Sequence, residues 1–173
     1  MAVTESSKPA NTQSSKRLHE LDAPPWLRVD LTIVAAASDM RRLYDERFSA
    51  IDLTLSLASL LCYANDFGPI SQTRAADHLR QGRAVTGTQI DRLEERGLIE
   101  RLPDPDDRRV WLIKATPLGT DLAAEAVALD EGIRKELRAG IPREDRQALA
   151  NVLVRLQHNI SSALETEPDT PKG

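Results

Sequence analysis

Cysteine is almost absent from this chain, with Cys62 the single one in 173 residues. One thiol excludes an intrachain disulfide, so stability has to come from packing and the expected compartment is a reducing cytoplasm. Aromatics are scarce as well: Trp26, Tyr44, Phe48, Tyr63, Phe67 and Trp111 are the whole set. The core must then be built from Leu, Ile, Val and Ala, which favours packed helices over a β-sandwich. No apolar run approaches the roughly 18 residues of a membrane span, and no apolar stretch follows the first Lys residues as in a secretory leader. No membrane partner is expected. The three histidines (His19, His78 and His158) stand far apart with no CxxC nearby, so no metal site is expected. GxSxG, GxxxxGKS/T and GxGxxG are missing, which argues against an enzyme and against a nucleotide cofactor. Charge of one sign is in short supply too. There are 23 basic against 27 acidic residues and a net charge of −4, and that total alone leans away from a polyanionic partner.

What the chain does have is helical periodicity. Residues 1–25 are polar and end at Pro24-Pro25, and residues 168–173 are similar, so both read as flexible tails. Between them a domain spanning 26–167 is expected. A first helix over about 26–48 carries Leu27, Leu31, Val34, Ala37, Met40, Tyr44 and Phe48 on one stripe. A second follows Asp52 or Thr54, carries Leu57, Leu60, Leu61 and Tyr63, and stops before Phe67-Gly68-Pro69. Ser71 caps a short third helix ending near Leu79. A fourth runs from Arg83 to Arg96, with Gly97 at its end.

The period then changes. Residues 98–102 and 110–113 read as two short strands around the turn Pro103-Asp104-Pro105-Asp106-Asp107, a hairpin. Thr116-Pro117 opens a fifth helix that closes at Gly140, and a sixth begins near Pro142 with Leu149, Val152, Leu153, Leu156, Ile160 and Leu164 in register. The expected fold is mainly α with a small two-stranded β-wing. Long terminal helices at about 26–48 and 117–164 flank a central lobe at about 53–116. That lobe is too small to cover all of their apolar stripes, which predicts a two-fold homodimer.

Two stretches carry a resemblance. One is Ile90-Asp91-Arg92-Leu93-Glu94-Glu95-Arg96-Gly97-Leu98-Ile99-Glu100-Arg101, and the other is Asp104-Pro105-Asp106-Asp107-Arg108-Arg109 with Thr116 downstream. With Leu53-Thr54 and Gly68-Pro69-Ile70-Ser71-Gln72 upstream, the chain resembles the MarR family of winged helix-turn-helix regulators over roughly residues 27–164. The resemblance implies a homodimeric, sequence-specific, DNA-binding transcriptional regulator, a repressor relieved by a small ligand. The operator would be palindromic double-stranded DNA with half-sites one helical turn apart. The helix from Arg83 would read the major groove and the hairpin would be its wing.

The residues expected at DNA are Ser71, Gln72, Arg83, Ala84, Gly87, Thr88, Arg108 and Arg109. Ile90 and Leu93 should face Ala75, Ala76 and Leu79 instead. The resemblance suggests Arg109 at the minor groove, with Asp107 organising the loop, while Trp111 should pack on the wing. A small aromatic or anionic effector is implied in a crevice near Trp26 and Asp30. Where relatives commonly show Ser-Thr-Val-Thr, this chain has Ala84-Val85-Thr86-Gly87. Two polar side chains are lost there, and a glycine in a helix costs about 1 kcal/mol. That departure motivates a second reading, a winged-helix protein-interaction module with weakened DNA specificity. Cys62 reads as a small buried hydrophobe and His78 as a surface residue. The charge total also has structure: residues 71–116 hold 9 basic and 8 acidic groups, whereas the helices on either side are acidic.

Overall fold

The computed structural model describes residues 28–107 and 109–165. Helix α1 (Val29–Phe48) runs into a 3-10 turn at Ser49–Ile51 and is followed by α2 (Leu55–Phe67). A two-residue strand β1 (Ile70–Ser71) leads directly into α3 (Gln72–Leu79), and α4 (Arg83–Glu95) comes next. Strands β2 (Ile99–Pro103) and β3 (Trp111–Ala115) form the hairpin, and α5 (Pro117–Leu137) and α6 (Arg143–Glu165) complete the order. The chain divides into two compact units, one ending at Val127 and the other beginning at Ala128.

In the first unit α2 is the centre. Leu57, Leu60, Leu61 and Ala64 recur at intervals of three and four and are buried to 2% exposure or less. Helices α3 and α4 and strand β3 pack around α2. The Thr54 hydroxyl accepts the Leu57 N–H at its start, and the Asp45 carboxylate, reaching from α1, accepts the Leu55 N–H at 2.7 Å. Two orphan donors of the first turn are thereby satisfied. The helix includes Phe67, one residue past the expected stop, because its breaker is Gly68 at the C-cap.

The sheet has three antiparallel strands in the order β1-β3-β2, not the two expected. Ile70 pairs with Ile113 and Ser71 with Leu112. The extended backbone that Ser71 needs in order to cap α3 also suits it to the edge of β3, and a strand of two residues leaves no alternation to read. Both hairpin strands are shifted toward the C-terminus by one or two residues from the expected spans.

At the end of β3 the Thr116 hydroxyl donates to the Gly97 carbonyl at 2.6 Å and accepts the Gly119 N–H at 3.1 Å, while the Thr116 N–H bonds the Leu98 carbonyl. The wing, the end of α4 and the start of α5 therefore meet at one capping residue. A Cβ at Gly119 would overlap the Leu98 carbonyl oxygen, so only glycine fits. Gly97, at φ +68, supplies the left-handed turn after α4.

Helix α1 buries only Phe48, leaving Leu31 at 53% and Val34 at 64% exposure. In the second unit α6 buries nothing, and Val154 at 64% and Leu164 at 82% lie open. No single helix among the described residues is long and apolar enough to cross a membrane.

Candidate nucleic-acid interface

Helix α4 turns one face inward. Thr86, Ile90 and Leu93, spaced four and three apart, are each 0% exposed, and α4 packs on α3, whose Ala75 and Ala76 are buried as well. Thr86 stands where the Val of the relatives' Ser-Thr-Val-Thr falls, and it resolves its own polarity by donating its hydroxyl to the Gly82 carbonyl at 3.2 Å. With that stripe inside, Ala84, Val85 and Thr88 are exposed on the opposite side, Arg83 is exposed at the first position of the helix, and Gly87 is half-buried. The Thr88 hydroxyl donates to the Ala84 carbonyl and keeps its lone pairs free outward.

The departure at Gly87 has a local cause. Gln72, in the first turn of α3, donates its side-chain amide to the Arg83 carbonyl at 2.9 Å, bracing the two helices across their turn. A Cβ on residue 87 would come within 3.0 Å of that amide nitrogen. Gly87 is thus fitted to Gln72, and Gln72 positions the residue that opens α4. Ser71 caps α3 by accepting the Arg74 N–H, which leaves its own proton available to a ligand.

The wing loop is organised by carboxylates. Asp104 Oδ1 accepts the N–H groups of Asp106 and Asp107, and Asp107 accepts three bonds from Arg109, one from its N–H at 3.0 Å and two from its guanidinium at 3.1 and 3.2 Å. The Arg109 guanidinium, and then its N–H, hold the Asp107 carboxyl below the ordinary aspartate range. The Arg109 side chain is nevertheless 90% exposed. It is aimed by the pair without being enclosed by it.

Because β1 pairs with β3, the start of α3 lies beside the wing, and a cleft of about 300 Å³ opens between them. Ser71, Gln72, Arg83 and Arg109 all line it, which brings four of the expected residues into one place. Ala84, Gly87 and Thr88 stand further along α4. Arg108 and Trp26 lie outside the described residues. Asp30 is exposed in the first turn of α1, where a carboxylate suits the positive end of the helix.

Thr73, Val110 and Trp111 also line the cleft and were not foreseen there. Trp111 corrects an expectation: it does not pack away on the wing but is 55% exposed. The alternation of β3 puts 111, 113 and 115 on one face, where Ile113 and Ala115 are buried, so it gave no sign that Trp111 would be open.

Three acidic residues of this lobe are engaged away from the cleft. Arg101 bridges Asp91 at 2.5 Å and Glu94, tying β2 to α4, and Lys114 pairs with Glu100 across the hairpin at 3.3 Å. His78 is exposed, as expected, but its ring stacks on Tyr63 with centroids 3.7 Å apart, and the Tyr63 hydroxyl accepts from Arg74. Cys62 is half-buried rather than buried, its thiol 3.9 Å from the Ala123 carbonyl.

Residues 53–111 match the family model described as MarR family. A stretch of 108 residues, 62% of this chain, is 29% identical to the uncharacterized HTH-type transcriptional regulator YdgJ of Bacillus subtilis (strain 168), of which it covers 64%. A MarR variant from E. coli solved with operator DNA superposes with a TM-score of 0.70 at 24% identity, covering 75% of this chain and 93% of that one. Bordetella bronchiseptica BpsR, whose DNA binding is regulated by 6-hydroxynicotinic acid, superposes with a TM-score of 0.68 at 25% identity, covering 75% and 98%.

Proposed function

We propose, for a chain whose residues 53–111 match the MarR family model, a cytoplasmic, homodimeric, sequence-specific DNA-binding transcriptional regulator of that family, a repressor relieved by a small aromatic or anionic ligand. The observation that carries this reading is the shared cleft: Arg83, which opens α4, and Arg109, on the wing, line one opening although they come from different elements. A helix entering the major groove contacts bases and phosphates through its first residues, and a guanidinium on a wing suits the negative potential of a narrow minor groove. Ser71, Gln72, Ala84, Gly87, Thr88 and Arg108 complete the proposed contact surface. Val85, 54% exposed beside them, offers an apolar contact of the kind a thymine methyl accepts.

The dimer is supported by the apolar side chains that α1 and α6 leave open. Two-fold symmetry in the protein implies a palindromic operator with half-sites about 10 bp apart. The ligand is supported by BpsR, and Asp30, with Trp26 upstream of it, is the proposed contact.

The test is a mobility shift with duplex from the region upstream of the protein's own coding sequence. A complex at low salt, lost on changing both Arg83 and Arg109 to Ala, is the expected result. A folded dimer that shifts no duplex at low salt would overturn it. One observation favours a protein-interaction module instead: the outward turn of α4 offers Ala84 and Val85 where polar side chains would read bases. That reading predicts unchanged function in the double-Ala variant.

A further inference from the structure

The cleft between α3 and the wing holds a side chain that winged-helix geometry alone does not call for. Trp111 opens β3 on the same face as Ile113 and Ala115, both buried. Its ring therefore points to the helix side of the sheet. There is no core left for it to enter, because β1 stops pairing at Leu112 and the facing residue on β2 is Pro103. A large apolar residue is left 55% exposed, in a chain with only two tryptophans. With Gln72 and Val110, the cleft is lined by Arg83 and Arg109, which supply charge, the latter while paired with Asp107, and by Ser71 and Thr73, which supply donors. A flat apolar surface that shares a cleft with two guanidinium groups suits a group that is itself half apolar and half anionic.

The geometry points to Trp111 as the apolar floor of a subsite for one sugar–phosphate unit of duplex DNA. The deoxyribose lies against the indole, and its phosphate lies between Arg83 and Arg109. This rests on the DNA-binding reading above and assigns Trp111 a place within it. The two parts of the subsite differ in their physics. The guanidinium contacts release counterions and set the salt dependence, whereas the indole contact is apolar and leaves the salt slope alone. The subsite also links the reading helix to the wing, so a backbone step held there registers both against the duplex.

The experiment uses the full chain carrying Trp26→Phe, in which Trp111 is the only tryptophan and is excited selectively over tyrosine. Duplex from the region upstream of the coding sequence is titrated in and followed by emission and by mobility shift together. The expected result is a blue-shifted, quenched Trp111 emission that saturates with complex formation. Trp111→Ala, checked for an unchanged thermal transition, should bind about tenfold more weakly with the same salt slope, the order of one aromatic contact, and Trp111→Phe should recover most of the loss. By contrast Arg83→Ala should reduce the slope by about 0.9.

A complex that forms by mobility shift without changing Trp111 emission, with Trp111→Ala binding as the parent does, overturns the subsite and leaves the DNA reading intact. An equal emission response to inorganic phosphate at matched phosphorus also overturns it, since the sugar would then contribute nothing. Absence of any complex overturns both.

Discussion

At the scale of single residues, small substitutions separate positioning from contact. Gly87→Ala removes a helix-breaking residue and should raise the helix propensity of α4 by up to about 1 kcal/mol. The new methyl meets the Gln72 amide at 3.0 Å, however, and loosens its bond to the Arg83 carbonyl. The expected outcome is an unchanged or slightly higher melting temperature together with weaker duplex binding. A melt that falls by several degrees would show that Gly87 answers to something other than Gln72.

Asp107 gives a pH prediction of definite sign. Its carboxyl is lowered by the Arg109 guanidinium and N–H, so its contribution to the wing is complete above the ordinary aspartate value of about 3.9 and is lost only as pH falls through the lower folded value. The wing should therefore be insensitive to this group at neutral pH. Carboxyl-detected NMR should find Asp107 titrating below the ordinary aspartate value, and Asp107→Asn should speed amide exchange at Arg109.

At the scale of elements, the junction of β3 with α5 is the sensitive one. Gly119→Ala forces a methyl against the Leu98 carbonyl and disturbs the cap that Thr116 makes between Gly97 and Gly119. A backbone shift of this kind costs about 1–3 kcal/mol, measurable as a lower urea midpoint. Gly132→Ala, with nothing near the new methyl, is the control and should be neutral or stabilising. Leu60→Ala, at the fully buried centre of α2, should cost about 2–5 kcal/mol.

The helices themselves were legible because their apolar spacing is regular and their caps (Thr54, Ser71 and Thr116) are ordinary capping residues. Strand β1 was not. Two residues cannot show a period, and its pairing partner lies some forty positions away.

At the scale of the molecule, the open apolar side chains of α1 and α6 and the distribution of charge make separate predictions. If those side chains are covered by a second copy, Val34→Glu or Leu164→Glu should shift sedimentation toward a monomer without abolishing folding of residues 53–116. An unchanged sedimentation coefficient in both would remove the argument for that interface. The net charge of −4 does not oppose DNA binding, because Asp91 and Glu94 are engaged by Arg101 and Glu100 by Lys114, while Arg83 and Arg109 face the cleft. Binding should weaken steeply with salt, with a slope of about 0.9 per phosphate contacted.

While the proposed roles of Arg83 and Arg109 came with the family resemblance, the order of the helices and of the hairpin, their approximate limits and the inward stripe of α4 follow from the sequence alone. Each depends on spacing within a few positions, where helical and strand periods and capping chemistry act. The meeting of distant positions was decided only by the tertiary structure. Gln72 reaching the Arg83 carbonyl explains Gly87, and β1 on β3 opens the cleft beside the wing. The end of the core at Leu112 turns Trp111 from a packed residue into an exposed one. Those outcomes depend on where one element stops against another, and local periodicity carries no information about that.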